Sequence, residues 1–165
     1  MITGSTLTHL TCPECNKEVS ADRLQRYCAD CASPWLAVYE LAALRTELDR
    51  DRVSHRPRGM WRWAELLPVH STANQVSLGE GDTPLLQLDR LGACLGLEKL
   101  FLKDEGANPT GSFKARGMAA AISMAKELGV EKVIVPTAGN AGGAMAAYAA
   151  RAGLQACVIM PQDTP

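Results

Sequence analysis

Residues 132–161 read KVIVPTAGNAGGAMAAYAARAGLQACVIMP. The opening KVIVP is an apolar, β-branched run, too short for a helix, and reads as a buried strand. The closing QACVIMP, residues 155–161, reads as another. Between them, residues 140–152 read as a helix that ends at Gly153. A strand, a helix of this length and a second strand make a βαβ unit, which implies a parallel sheet. The same stretch also needs a membrane check, because Val133 to Ala150 is eighteen residues without a charge, near spanning length. Pro136, Thr137, Gly139, Asn140, Gly142 and Gly143 interrupt it, so strand, turn and buried helix is the better reading.

The alternation continues upstream. TPLLQL (83–88) reads as a short strand, residues 89–96 as a weak helix, and KLFLKDE (99–105) as a strand. Residues 112–128 read as a helix, with Met118, Ala121, Ile122, Ala125 and Leu128 at helical spacing and Gly129 as the stop. The fold class is therefore α/β. In such sheets ligands gather at the carboxyl ends of strands. Both NPTGSFK (108–114) and PTAGNAGG (136–143) lie at strand-to-helix junctions of that kind.

The whole chain is consistent with one ordinary domain plus a small appendage. Its 165 residues are 47% hydrophobic and 21% charged, enough to bury a core. A net charge of −1 with no block of like charges argues against nucleic acid or an acidic membrane as main partner. Aromatics are few, at 5%, whereas fourteen alanines fall between Ala115 and Ala156; small residues let helices lie close to a sheet. The start, MITGSTLTHLTC, has no basic region followed by an apolar stretch, so no signal peptide is expected and the location expected is cytoplasmic. Residues 1–60 differ in composition, holding the paired cysteines and the charged run LRTELDRDRVSHRPRGM (44–60). The expected organisation is a cysteine-bearing segment over 1–40, a helical connector over 41–76 and an α/β unit over 77–165.

Cys12-Pro-Glu-Cys15 and Cys28-Ala-Asp-Cys31 are two CxxC pairs, twelve residues apart. Four thiolates at this spacing can surround a tetrahedral Zn²⁺, which predicts a zinc-ribbon-like structural site. Such a site is closed and leaves no position for water, so catalysis at the metal is not expected. Cys94 and Cys157 stand alone and read as small buried hydrophobes.

Lys114 follows the turn Pro-Thr-Gly-Ser and opens an apolar, alanine-rich segment. The nearest acids in sequence are Asp104 and Glu105. In the first turn of a helix, a lysine meets the positive end of the dipole, which favours its neutral amine, and burial would do the same. A neutral amine is what Schiff-base chemistry requires. On these arguments alone, an ordinary exposed first-turn lysine without a chemical role is the favoured reading. In the second turn Thr137 or Asn140 can cap the following helix, and the free N–H groups there form an anion site. The chain has neither GxxxxGK[ST] nor GxGxxG, so nucleotide binding has no support.

Taken in order, SLGEGDTPLL (77–86), LFLKDEGANPTGSFKARGM (100–118) and PTAGNAGGAMAAYAARAG (136–153) resemble the fold-type II pyridoxal-phosphate enzymes, and within them the threonine synthase family. MWRWAELLPV (60–69) and the two-CxxC segment ending near AVYEL are similar to bacterial and archaeal members. The resemblance implies a three-layer parallel-sheet domain, of which residues 77–165 are the front half. It makes Lys114 the amine that holds pyridoxal 5′-phosphate and moves protons on the substrate. Phe113 and Ser112 would set that lysine, and Asn140 would hydrogen-bond the 3′ oxygen of the ring. The turn containing Thr137, Ala138, Gly139 and Ala141 would grip the substrate carboxylate. The implied reaction converts O-phospho-L-homoserine and water to L-threonine and phosphate, in an enzyme that is a homodimer at full length.

Serine/threonine dehydratases carry His where this chain has Ala141, and cysteine synthases have a different lysine turn. Another enzyme of the fold, a dehydratase or cysteate synthase, is the nearest alternative; a non-catalytic zinc-binding fragment is another. Family members continue past the point matching Pro165 with a phosphate-cupping loop and a partner for the pyridine nitrogen. Nothing here substitutes for them, so the 165-residue chain alone is expected to be inactive.

Overall fold

The computed structural model describes residues 4–164. Three short strands come first: β1 (Leu7–Thr11), β2 (Glu18–Val19) and β3 (Leu36–Tyr39). They form an antiparallel sheet in the order β2-β1-β3, with a register shift between Leu7 and His9. Two short helices follow, α1 (Leu41–Glu47) and α2 (Arg50–Ser54), capped by the Glu40 and Asp49 carboxylates. A 3₁₀ segment, Met60–Leu66, is broken at Trp63, whose backbone is not helical. Thr6 ties the first sheet to this segment: its N–H and hydroxyl both donate to the Glu65 carbonyl, at 3.0 and 2.9 Å. The Glu65 carboxylate is buried and takes both arms of the Arg56 guanidinium.

The remaining elements are β4 (Leu85–Gln87), α3 (Asp89–Leu95), β5 (Phe101–Lys103), α4 (Lys114–Glu127), β6 (Lys132–Pro136), α5 (Asn140–Ala152) and β7 (Gln155–Ile159). β6 and β7 are parallel and pair from Lys132↔Gln155 to Pro136↔Ile159, the βαβ unit that residues 132–161 predict. The other pair departs from expectation: β4 and β5 run antiparallel, and α3 joins them. Each is three residues long rather than six or seven. β5 stops because Asp104 turns the chain, its carboxylate accepting from Gly106 N at 3.0 Å.

The core lies between α4 and α5. Ala115, Ala119 and Ile122 meet Met145, Tyr148 and Ala149, closed by Met60 and Val76, with Val133, Val135 and Val158 of the strands packed against them. Alanines at the contact bring the helix axes together, and dispersion and apolar burial hold them. The buried face of α4 is thus set by Ala115, Ala119, Ile122 and Ser123, and Ala121 is exposed. α4 begins at Lys114 rather than at 112, and Gly129 closes it at φ 71°. Cys94 and Cys157, expected to be buried, are both exposed. No described helix is long and apolar enough to cross a membrane. The strands carry exposed apolar side chains, among them Leu85, Leu86, Phe101, Leu102, Ile134 and Ile159, and in β4 and β5 they lie on both faces.

Candidate functional site

The strap of residues 76–83 is wired to α4, to α5 and to the lysine turn. Val76 N donates to Ser123 Oγ of α4 at 2.8 Å. Glu80, fully buried, accepts from the Tyr148 hydroxyl of α5 at 2.7 Å and from Leu78 N at 3.0 Å. Burial and the Glu80 carboxylate together push the Tyr148 phenol above its ordinary value. Gly81 has φ 101°, and a Cβ there would stand 2.6 Å from Met60 N, so only glycine fits the crossing. Its N–H donates to Asn108 Oδ1, at the start of the lysine turn.

The lysine turn is built from Asn108 to Lys114. Gly111, at φ 68°, donates to the Asn108 carbonyl at 2.8 Å and reverses the chain. Ser112 is buried, and its hydroxyl accepts from Lys114 N at 3.4 Å. Lys114 then opens α4, exposed rather than buried. Its amine has no polar partner among the described residues; Nζ lies 4.5 Å from the centroid of the Phe113 ring, itself exposed.

The acids that sequence offers to Lys114 are engaged elsewhere. Glu105 takes Arg116 Nε and Nη2 at 2.6 and 2.8 Å, Thr83 Oγ1 at 2.6 Å and Asn108 Nδ2 at 3.0 Å. The Arg116 guanidinium, aided by the Thr83 hydroxyl, holds its carboxyl far down, at about 2. This network escaped sequence reasoning. The one available signal was an arginine two positions after the lysine, with a glutamate upstream to receive it.

In the second turn, the Thr137 hydroxyl accepts from Gly139 N at 3.2 Å, and Asn140 is the first residue of α5. Neither Thr137 nor Asn140 caps the helix by its side chain, correcting that expectation. Ala138, Gly139 and Asn140 are exposed, with Thr137 and Ala141 half-buried. Thr137 N, Gly139 N and Gly142 N are engaged by Ile159 O, Thr137 Oγ1 and Gly139 O, which leaves the N–H groups of Ala138, Asn140 and Ala141 available to an anion among the described residues. Gly142 packs: a Cβ would stand 2.7 Å from Thr137 Cγ2 and 2.8 Å from Val158 Cγ1. Gly139 and Gly143 face open space, with nothing within 4 Å of an added Cβ. A free amine, an unpaired Asn140 amide and two uncovered glycines suit an aldehyde-bearing anionic ligand in their chemistry.

The sulfur atoms of Cys12, Cys15, Cys28 and Cys31 lie within 4.8 Å of one another. The two knuckles repeat one geometry. Cys12 N donates to Lys17 O and Asn16 N to Cys12 O; Cys28 N donates to Ser33 O and Ala32 N to Cys28 O. Asn16 and Ala32 both have positive φ, at 58° and 52°. Lys17 pairs with Asp30 across the knuckles at 2.9 Å. The Cys15–Cys28 sulfur separation is 3.8 Å; the edge of a tetrahedron with Zn–S of about 2.3 Å is also about 3.8 Å. A backbone N–H of Cys15 lowers the Cys12 thiol to about 7, and the hydrogen bond with Cys15 raises Cys31 to about 12. Four sulfurs crowded this closely cannot all ionise without a cation, so the donor set fits a dication.

The family described as "Pyridoxal-phosphate dependent enzyme" matches residues 76–165, which include the strap and both turns. The chain belongs to that family. Its similarity to curated family members extends further toward the N-terminus. It is 38% identical to the threonine synthase of Methanocaldococcus jannaschii over 151 residues, 92% of this chain and 37% of that protein. The threonine synthase of Methanosarcina acetivorans is 38% identical over 153 residues, 93% of this chain and 37% of the relative. That of Synechocystis is 50% identical over 96 residues, 58% and 25% of the two chains. The chain therefore spans little more than a third of the first two relatives, whose matched length includes most of the cysteine-bearing segment.

Proposed function

We infer that this chain carries the lysine turn and the carboxylate-binding turn of a threonine synthase, acting on O-phospho-L-homoserine and water to give L-threonine and phosphate. The observation that supports it best is Lys114: a lysine amine left without an acid because Glu105 is committed to Arg116. Pyridoxal phosphate, when bound, supplies the electron sink that makes carbanion chemistry accessible. Lys114 supplies the amine that holds the cofactor and, once released, a base and acid at Nζ. Phe113 gives that amine an apolar neighbour. Asn140 offers an amide to the ring oxygen, and the Thr137–Ala141 turn offers N–H groups to a carboxylate. Cys12, Cys15, Cys28 and Cys31 hold a structural Zn²⁺ away from the chemistry. A homodimeric, cytoplasmic enzyme completes the reading.

Covalent capture is the direct test. Treated with pyridoxal phosphate and borohydride, the chain is expected to carry the reduced adduct on Lys114, and Lys114→Ala to lose it. Joined to the C-terminal part of the Methanosarcina relative, the chain should release phosphate from O-phospho-L-homoserine and stop doing so in Lys114→Ala. Deamination of threonine by that fusion would point to a dehydratase instead.

A further inference from the structure

We propose that Glu105 is a positioning residue for Lys114, fixing the first turn of α4 through Arg116 and the preceding loop through Thr83 and Asn108. The proposal rests on the reading of Lys114 as the covalent anchor, and it goes beyond it by naming what aims the amine.

Glu105 follows β5 directly, in the 3₁₀ turn Glu105–Ala107. Its two carboxylate oxygens accept from three other parts of the chain. Oε1 takes the Thr83 hydroxyl and Arg116 Nη2; Oε2 takes Arg116 Nε and Asn108 Nδ2. Arg116 Nη2 also reaches Thr83 Oγ1 at 3.3 Å. Asn108 Nδ2 donates a second time to the Glu105 carbonyl, and its Oδ1 accepts from Gly81 N. The bidentate guanidinium–carboxylate fork fixes orientation as well as distance, which a single-point ammonium contact would not.

Arg116 stands two residues beyond Lys114 in the same helical turn, so any rotation or slide of that turn moves both. Among the described residues, Lys114 has no polar contact of its own to define where its amine sits. Its placement comes from the backbone, and the backbone of this turn is held by Glu105 on one side and by Ser112 on the other. An exposed ion pair would contribute little. This one is half-buried, at 34% and 25% side-chain exposure, and engages four donor groups. The low carboxyl value keeps the fork charged through neutral pH.

The experiment reads how the borohydride-reduced adduct distributes among the six lysines of the full chain, using pyridoxal phosphate as the probe and thermal unfolding in parallel. Glu105→Gln, which breaks the charged fork, is expected to lower the Lys114 rate relative to the other lysines about tenfold, a loss in the range misplacement by a fraction of an ångström produces. Thr83→Val, which removes one arm with little change of shape, should lower it by less. Glu65→Gln, in the remote Arg56 pair, should reduce stability but leave the distribution unchanged. If both site variants fold and leave the Lys114 preference intact, Glu105 is structural only and the proposal is wrong. If Glu105→Gln does not fold, Thr83→Val decides alone, by the same criterion. If the unsubstituted chain shows no Lys114 preference, the covalent-anchor reading fails, an outcome distinct from loss of preference in the variants alone.

Discussion

The cysteine segment and the α4–α5 region each gather reactive side chains, but in opposite ways. Around Cys12, Cys15, Cys28 and Cys31 the donors face one another, within 4.8 Å, in two knuckles of the same backbone geometry. Everything the site needs except the ion is in one short segment. At the other site Lys114 and Asn140 each open a helix, exposed, with no polar partner among the described residues for either side chain. Of the acids nearby, Glu105 is engaged through both oxygens by Arg116, Thr83 and Asn108, and Glu80 through one oxygen by Tyr148, its other oxygen being buried without a partner among the described residues. On the proposed roles, the four thiols face one another as a metal site requires, whereas Lys114 and Asn140 are left free for a ligand among the described residues.

Removing ligands should expose the first half of that contrast most strongly. A Cys12→Ser, Cys28→Ser double variant is expected to lose bound zinc entirely and to unfold residues 7–39, since structural zinc supplies about 10 kcal/mol or more of folding energy in small modules. Metal analysis with far-UV circular dichroism checks it; retained zinc would break the comparison. Tyr148→Phe attacks the scaffold of the other half. It leaves buried Glu80 without its 2.7 Å donor and should cost about 2–3 kcal/mol in denaturant unfolding.

The Glu105 fork adds a pH signature. Its carboxyl lies at about 2 in the folded chain against an ordinary 4.5. A folded value below the unfolded one means that the contribution is complete above about pH 4.5 and is lost as pH falls toward 2. The gap in melting temperature between the unsubstituted chain and Glu105→Gln should be constant near neutrality and close in that acid window. The smallest effects fall on the two knuckle turns, at Ala32 and Asn16. Ala32 sits at φ 52°, where an L side chain costs about 1 kcal/mol, so glycine there should stabilise the metal-loaded segment by about that amount. Asn16, its counterpart in the first knuckle, tolerates the conformation better, and Asn16→Gly should gain less.

Much of the βαβ unit was legible because its strand, helix and stops are local: β6 and α5 fall on residues 132–136 and 140–152 as the apolar run and Gly153 dictate. The two CxxC pairs were legible for the same reason. What was not legible depends on contacts between distant segments. The face of α4 is chosen by α5, so Ala121 turned outward although its spacing marked it for the core. Antiparallel pairing of β4 with β5 could not be read from strand and helix alternation. The Lys126 amine of α4 donates to the Ala73 carbonyl at 2.8 Å, fifty-three residues away, a contact no local pattern announces. The Glu105 network likewise joins residues 83, 105, 108 and 116, and no local pattern announces it.

The central claim is that the two regions divide the labour, one holding metal for structure and the other presenting Lys114 for covalent chemistry. The most direct test measures zinc content and the site of the reduced pyridoxal-phosphate adduct on the same samples, before and after the Cys12→Ser, Cys28→Ser substitution. The expected result is about one zinc per chain in the unsubstituted protein and none in the variant, with the adduct on Lys114 in both wherever α4 and α5 remain folded. Zinc that persists without those two cysteines, or an adduct that leaves Lys114 when only the metal is lost, would contradict it.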